Sequence, residues 1–164
     1  MKRLWNKGLI DVLIKGASVT ALAAVASTVV INAQAATMDQ SLVQSYASSM
    51  KAAANSKNIS QVARLVSDDA LISLSRKGKS TRLDKDAYLK LLQSSWNQTT
   101  NYRYDIDISN IVITGDQARA NVNTTESWVK DGNNVSFVTT SRVTLTLSTG
   151  NAVLLRAVSQ VTID

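Results

Sequence analysis

The chain has 164 residues, 18 Lys+Arg against 12 Asp+Glu, and no Cys, His or Pro. Without Cys there is no disulfide framework and no thiolate nucleophile. Without His there is no Ser-His-Asp triad, no Cys-His pair and no imidazole zinc site.

Residues 1–35 read differently from the rest. Lys2, Arg3, Lys7 and Lys15 give a positive start, an uncharged Ala- and Val-rich stretch runs from Gly16, and Ala33-Gln34-Ala35 supplies a small-x-small end. That order is the pattern of a secretory signal peptide, with cleavage expected after Ala35 and a periplasmic or secreted destination. The densest apolar run, Ala17 to Ile31, is shorter than the roughly 20 residues of a membrane-spanning helix. An uncleaved inner-membrane anchor is the alternative, and cleavage would leave no stable anchor. No Cys follows the run, so a lipoprotein anchor cannot form. The leader accounts for three of the six net positive charges. The remaining domain, 36–164, gives no charge argument for nucleic acid and is long enough for one core.

Met38 to Asn55 predicts an amphipathic helix, with Met38, Leu42, Val43, Tyr46, Met50, Ala53 and Ala54 on its apolar stripe. A shorter helix follows, capped by Asn58 with Gln61 three residues later, striped by Ile59, Val62, Ala63 and Val66 and ended by Asp68-Asp69. Ala70 to Ser75 reads as a strand and Arg76 to Lys79 as a turn. Asp84 is a plausible cap for a third helix burying Tyr88, Leu91, Leu92, Ser95 and Trp96.

Beyond Thr100 the pattern alternates with period two. Tyr102, Tyr104, Ile106 and Ile108 share a face, and Ile111 and Ile113 change parity, which predicts a bulge near Ser109-Asn110. Turns are expected at Gly115-Asp116, Asp131 to Asn134 and Ser148 to Asn151. Ala118, Ala120, Val122, Thr124, Glu126 and Trp128 form the next inward face. Phe137 to Leu147 supply another, and Val153, Leu155, Ala157, Val161 and Ile163 the last. The fold class is α+β: three N-terminal helices packed on a curved antiparallel sheet.

This order, with Leu42-Val43-Gln44-Ser45-Tyr46, Val62 to Ala70, Asp86-Ala87-Tyr88-Leu89 and Ile111 to Ala118, resembles the NTF2-like superfamily, the cone fold of SnoaL-like proteins and ketosteroid isomerase. The resemblance covers Met38 to Asp164. It implies a pocket between the concave sheet and the helices. In isomerase-like members that pocket carries a helix-one Tyr, a carboxylate base on the first strand and a protonated acid on the sheet. Here Tyr46 falls on the Tyr, Leu74 on the base and Ser141 on the second acid. Leu74 cannot take a proton, so the resemblance argues against isomerase chemistry.

Glu126 is the only Glu in the chain and lies on an inward parity. Enclosed, it is a general base or ligand anchor; at the mouth of the cone it is a solvated charge. Tyr46, Trp96, Tyr102 and Tyr104 line an aromatic pocket or fill the core. The ligand-binding candidates are Tyr46, Trp96, Tyr104, Glu126 and Ser141, with Glu126 and Tyr46 as the candidate catalytic pair. The acidic pairs Asp68-Asp69 and Asp105-x-Asp107 lack calcium-loop spacing, so no metal and no cofactor is expected. Arg76, Lys77, Lys79 and Arg82 form a basic hairpin tip, Gly78-Lys79-Ser80-Thr81 lacks the upstream Gly of a P-loop, and Ser48-Ser49-Met50-Lys51 is a coincidental Ser-x-x-Lys. Arg142 and Arg156 edge an outer sheet face that a homodimer would use. The expectation is an exported, non-catalytic module that binds a small apolar or amphipathic ligand or a protein partner. The alternatives are an isomerase, dehydratase or hydrolase using Glu126 and Tyr46, and an envelope secretion-complex component.

Overall fold

A computed structural model describes residues 36–163, and the expected leader lies outside the described residues. The chain begins with α1 (Gln40–Asn55) and α2 (Ile59–Arg64), followed by the hairpin β1 (Val66–Arg76) and β2 (Lys79–Leu83). Next come α3 (Lys85–Asn97) and four long strands: β3 (Thr100–Thr114), β4 (Gln117–Lys130), β5 (Asn133–Ser148) and β6 (Asn151–Ile163). The second and third helices start behind the caps expected for them, whereas the first starts at Gln40, two residues later than expected, behind Asp39. Asp39, Asn58 and Asp84 accept the backbone N–H of Leu42, Gln61 and Ala87, each three residues on. In α1, Val43, Tyr46, Ala47, Met50, Ala53 and Ala54 are buried at helical spacing.

The six strands form one sheet in the order β2-β1-β6-β5-β4-β3. Every neighbouring pair is antiparallel except β1 and β6, which run parallel. The expected order of two helices, a strand, a third helix and four long strands is present, so the three helices are not all N-terminal to the sheet; the corrections are the added strand β2 and a mixed rather than wholly antiparallel sheet. The expected first strand also begins four residues earlier. Leu65 closes α2 on Val62, and the Leu65 carbonyl already accepts from Leu154 N–H at 2.8 Å. The strand thus starts at Val66, and Asp68 and Asp69 lie in an irregular stretch of it between the pairs Val66–Leu154 and Leu71–Arg156.

The bulge expected at Ser109-Asn110 is present, with Asn110 at φ 52° and a register shift between Ser109 and Val112. Ile111 packs on the core, whereas Ile113 is 40% exposed. A second bulge, on β6, overturns the expected parity there. Thr144 pairs with Arg156 but Leu145 pairs with Leu154, leaving Leu155 as the extra residue. Ala152 and Leu154 therefore face the core before it, and Ala157 and Ser159 are buried after it. In α3, Leu91 is 47% exposed and Leu89 packs on the core in its place. The core itself sits between α1 and the closed end of the sheet's inner face, around Val43, Met50, Val62, Ala118, Ala120 and Leu145.

Candidate functional site

The inner face of the sheet is sealed at one end and open at the other. Ala118, Ala120, Val143, Leu145 and Ala157 are buried. Two cross-strand rows away from them, Tyr104–Glu126–Phe137 and Ile106–Thr124–Thr139, point inward by strand parity yet keep accessible surface. Glu126 lies in the outer of these rows, flanked across the strands by Tyr104 and Phe137 and along its own strand by Thr124 and Trp128.

Glu126 accepts a hydrogen bond at 2.7 Å from the Tyr102 hydroxyl to Oε2. A bulge makes that contact. Asn101 adopts φ 52°, the register shifts between Thr100 and Arg103, and Tyr102 lands on the inner face one step from Glu126. Burial raises the Glu126 carboxyl above its ordinary range, and the Tyr102 bond opposes that rise in part. Surrounding atoms enclose most of the carboxylate while a part of the residue remains accessible. Among the described residues the only ion pairs are Lys51–Asp105 and Lys85–Asp68, so Glu126 has no cationic partner there.

The tyrosines gather around it. Burial pushes Tyr46, Tyr88, Tyr102 and Tyr104 all well above the ordinary phenol range. The negative charge of Glu126 adds to the rise for Tyr88, Tyr102 and Tyr104, whereas Tyr46 feels Tyr88 instead. These hydroxyls are donors that stay protonated at any physiological pH. Trp96, Tyr102, Trp128 and Phe137 form a continuous aromatic chain with centroid separations of 6.0, 6.5 and 4.7 Å. Six of the seven aromatic side chains between residues 36 and 163 thus lie around the sole Glu or along this chain, and Tyr46 stands behind Tyr88. Trp96 Nε1 is buried without a hydrogen-bond partner; it is near enough to favour a Tyr102 phenolate but outside bonding geometry.

Polar anchors hold the walls in place. Asn55, at the end of α1, donates to the Tyr104 carbonyl at 2.8 Å and accepts from the Tyr104 N–H at 2.9 Å, pairing with the edge strand β3 as another strand would. The Lys57 ammonium bonds the carbonyls of Trp96 and Thr99 at 2.9 and 2.8 Å, fixing the C-terminal end of α3.

Of the residues expected at the site, Glu126, Tyr104 and Trp96 share this cluster. Tyr46 is 6% exposed and joins through Tyr88, and it also lines a separate depression of about 340 Å³ beside the β5–β6 turn. Ser141 is deeper and is spent on Ser159, Oγ to Oγ at 2.8 Å. The hydrogen-bonded partner of Glu126 is Tyr102 rather than Tyr46. The contribution of Tyr88 was not expected, although its place on the apolar face of α3 was the available signal. A wider depression of about 600 Å³, near Arg103, Ser127 and Ser136, lies at the β3–β5 end of the sheet. Among the described residues no group of three or more potential metal ligands occurs, and no helix is long and apolar enough to cross a membrane.

No protein-family model and no curated protein matches the chain. Solved structures do match. A conserved protein from Planctomyces limnophilus superposes with a TM-score of 0.68 at 14% identity, over 77% of this chain and 98% of that one. An NTF2-like protein of unknown function from Silicibacter pomeroyi gives 0.52 at 15%, over 76% and 94%. A ketosteroid isomerase-like protein from Erwinia carotovora atroseptica gives 0.57 at 19%, over 74% and 94%. At these identities the likeness is one of fold, and the fold is NTF2-like.

Proposed function

We propose that this NTF2-like chain is an exported binding module whose open inner face holds a small amphipathic molecule. The observation that carries this is Glu126, its Oε2 bonded to Tyr102 and its surroundings built from tyrosine, tryptophan and phenylalanine. An apolar wall with a few convergent polar groups is the usual make-up of a small-molecule site. The position that bears a base in isomerase-like proteins is Leu74, which supports binding over turnover. Fold alone supports neither, because one fold hosts many activities.

The test is direct. The protein is purified from cells that express the full-length chain, and its native mass spectrum is recorded. A retained small ligand that is released on replacing Glu126 by Gln, with the polypeptide starting at Ala36, is the expected result. A polypeptide that starts at Met1 overturns export. A ligand-free spectrum for both proteins, together with no thermal shift across a small-molecule panel, overturns binding.

One observation favours a second reading. Burial holds the Glu126 carboxyl above its ordinary range while Oε1 has no protein partner among the described residues, the setting of a general base beside a tyrosine donor. Turnover of any panel compound that Glu126→Gln abolishes would establish this reading in place of the first.

A further inference from the structure

We infer that the guest of this interior is a small organic cation, a protonated or alkylated amine, seated against Glu126 within the aromatic collar. This rests on the binding reading above and names its ligand class. Three features of the site lead to it.

The first is an imbalance of charge. Glu126 is a largely enclosed carboxylate with a single neutral hydrogen bond, from Tyr102, and no ammonium or guanidinium beside it among the described residues. An ionised group out of water is costly until a counter-charge arrives, and a cationic guest supplies one. A neutral guest leaves the imbalance in place, and an anionic one worsens it.

The second is the wall. Tyr104 and Phe137 flank Glu126 across the strands, while Tyr102 and Trp128 follow along the aromatic chain. Ring faces carry negative potential, and a box of them with a carboxylate at its base is the known physical recipe for ammonium recognition. The cluster already draws cations to its rim. Lys57 Nζ lies 5.9 Å from the Tyr102 ring centroid and the Arg76 guanidinium 5.1 Å from that of Phe137. Neither is placed on Glu126, so the rim cations leave the central charge unmatched.

The third is a donor. The hydroxyl of Tyr104, held protonated by burial, lies in the row of Glu126. A guest that carries an oxygen acceptor a few atoms from its nitrogen, as an amino alcohol does, meets a donor as well as the carboxylate.

The experiment compares benzylamine, benzyl alcohol and benzoate, equal in ring and differing in charge, with choline as the alkylated probe. Each is titrated by calorimetry and by tryptophan fluorescence into protein purified from cells expressing the full-length chain. At neutral pH the cation is expected to bind at least about tenfold more tightly than the alcohol, an advantage within the range of desolvated cation–π and ion-pair contacts. Benzoate is expected not to bind. In Glu126→Gln the advantage of the amine is expected to vanish, with folding checked by circular dichroism. Asp107→Asn removes an exposed carboxylate from the outer face of β3 and is expected to keep the preference, so a loss confined to Glu126→Gln separates recognition by the site from the overall charge of the protein. Equal binding of alcohol and amine, or a preference that survives Glu126→Gln, overturns the cationic guest and leaves the binding module standing. Absence of binding by both cations overturns the cationic guest as well, and the mass spectrum described above then decides the module.

Discussion

Replacing Tyr102 by Phe removes one oxygen atom from the site and is expected to move the titration of Glu126 upward by about one pH unit. The bond that is lost is 2.7 Å long and ends on a part-buried carboxylate. A hydrogen bond to a charged group contributes about 1.5–3 kcal/mol and one between neutral groups about 0.5–1.5, so the ionised form loses roughly 1.4 kcal/mol more than the acid, which is one unit. Because the chain has a single Glu, carbon-13 labelling of glutamate gives one carboxyl resonance, and its midpoint is read without assignment. The effect on folding follows in sign. Burial already holds this carboxyl above its ordinary range, so its contribution to stability is complete below the ordinary carboxylate pKa and is lost as pH rises through the folded one. Without the Tyr102 bond that loss deepens, and urea unfolding is expected to show the variant more impaired at pH 8 than at pH 4. A midpoint that stays put, or moves down, would refute the contact between the two residues.

Other perturbations reach the frame around the site. Ser141→Ala strands the Ser159 hydroxyl, 5% exposed, and is expected to cost about 1–3 kcal/mol in urea unfolding. The double change Ser141→Ala with Ser159→Ala is expected to be less destabilised than the two single effects summed. Lys57→Met keeps the aliphatic stem but releases the Trp96 and Thr99 carbonyls; a loss of about 1.5–3 kcal/mol is expected, read in the same assay. Thr149 holds φ 46° at the tip of the β5–β6 hairpin, a strained position for a β-branched residue, so Thr149→Asn is expected to stabilise the protein by about 1 kcal/mol.

Local signals were legible in the sequence, and pairings between distant segments were not. Asn58 and Asp84 cap the helices expected of them because capping involves only the next three residues, while the apolar stripe that put the first helix start at Met38 hid the cap at Asp39. The inward parity of Ala118 to Trp128 held because a regular strand alternates without outside help. By contrast, β2 is a polar stretch with no apolar alternation, and it is a strand only because its backbone pairs with β1. The run Val153-Leu154-Leu155 is apolar at every position, so the bulge that switches its facing leaves no trace in composition. The same limit applied to the site. The inward position of Glu126 followed from parity, but its contact with Tyr102 depends on the cross-strand offset at Asn101, which only the folded sheet defines. Leu91 and Leu89 are both apolar on α3, and the packing of that helix decides which is covered.

The parallel seam between β1 and β6 constrains when this polypeptide can become a protein. The Arg156 guanidinium donates to the Asp69 carbonyl across 87 positions of sequence, and Leu154 closes on Leu65 beside it. A chain in which β6 has not yet docked has β1 but no neighbour for its inner edge, and α1 lacks the part of its support that β6 supplies. Joining segments so far apart is entropically slow, so the docking of β6 on β1 is expected to come late in folding, and the two strands gain their protection from hydrogen exchange together.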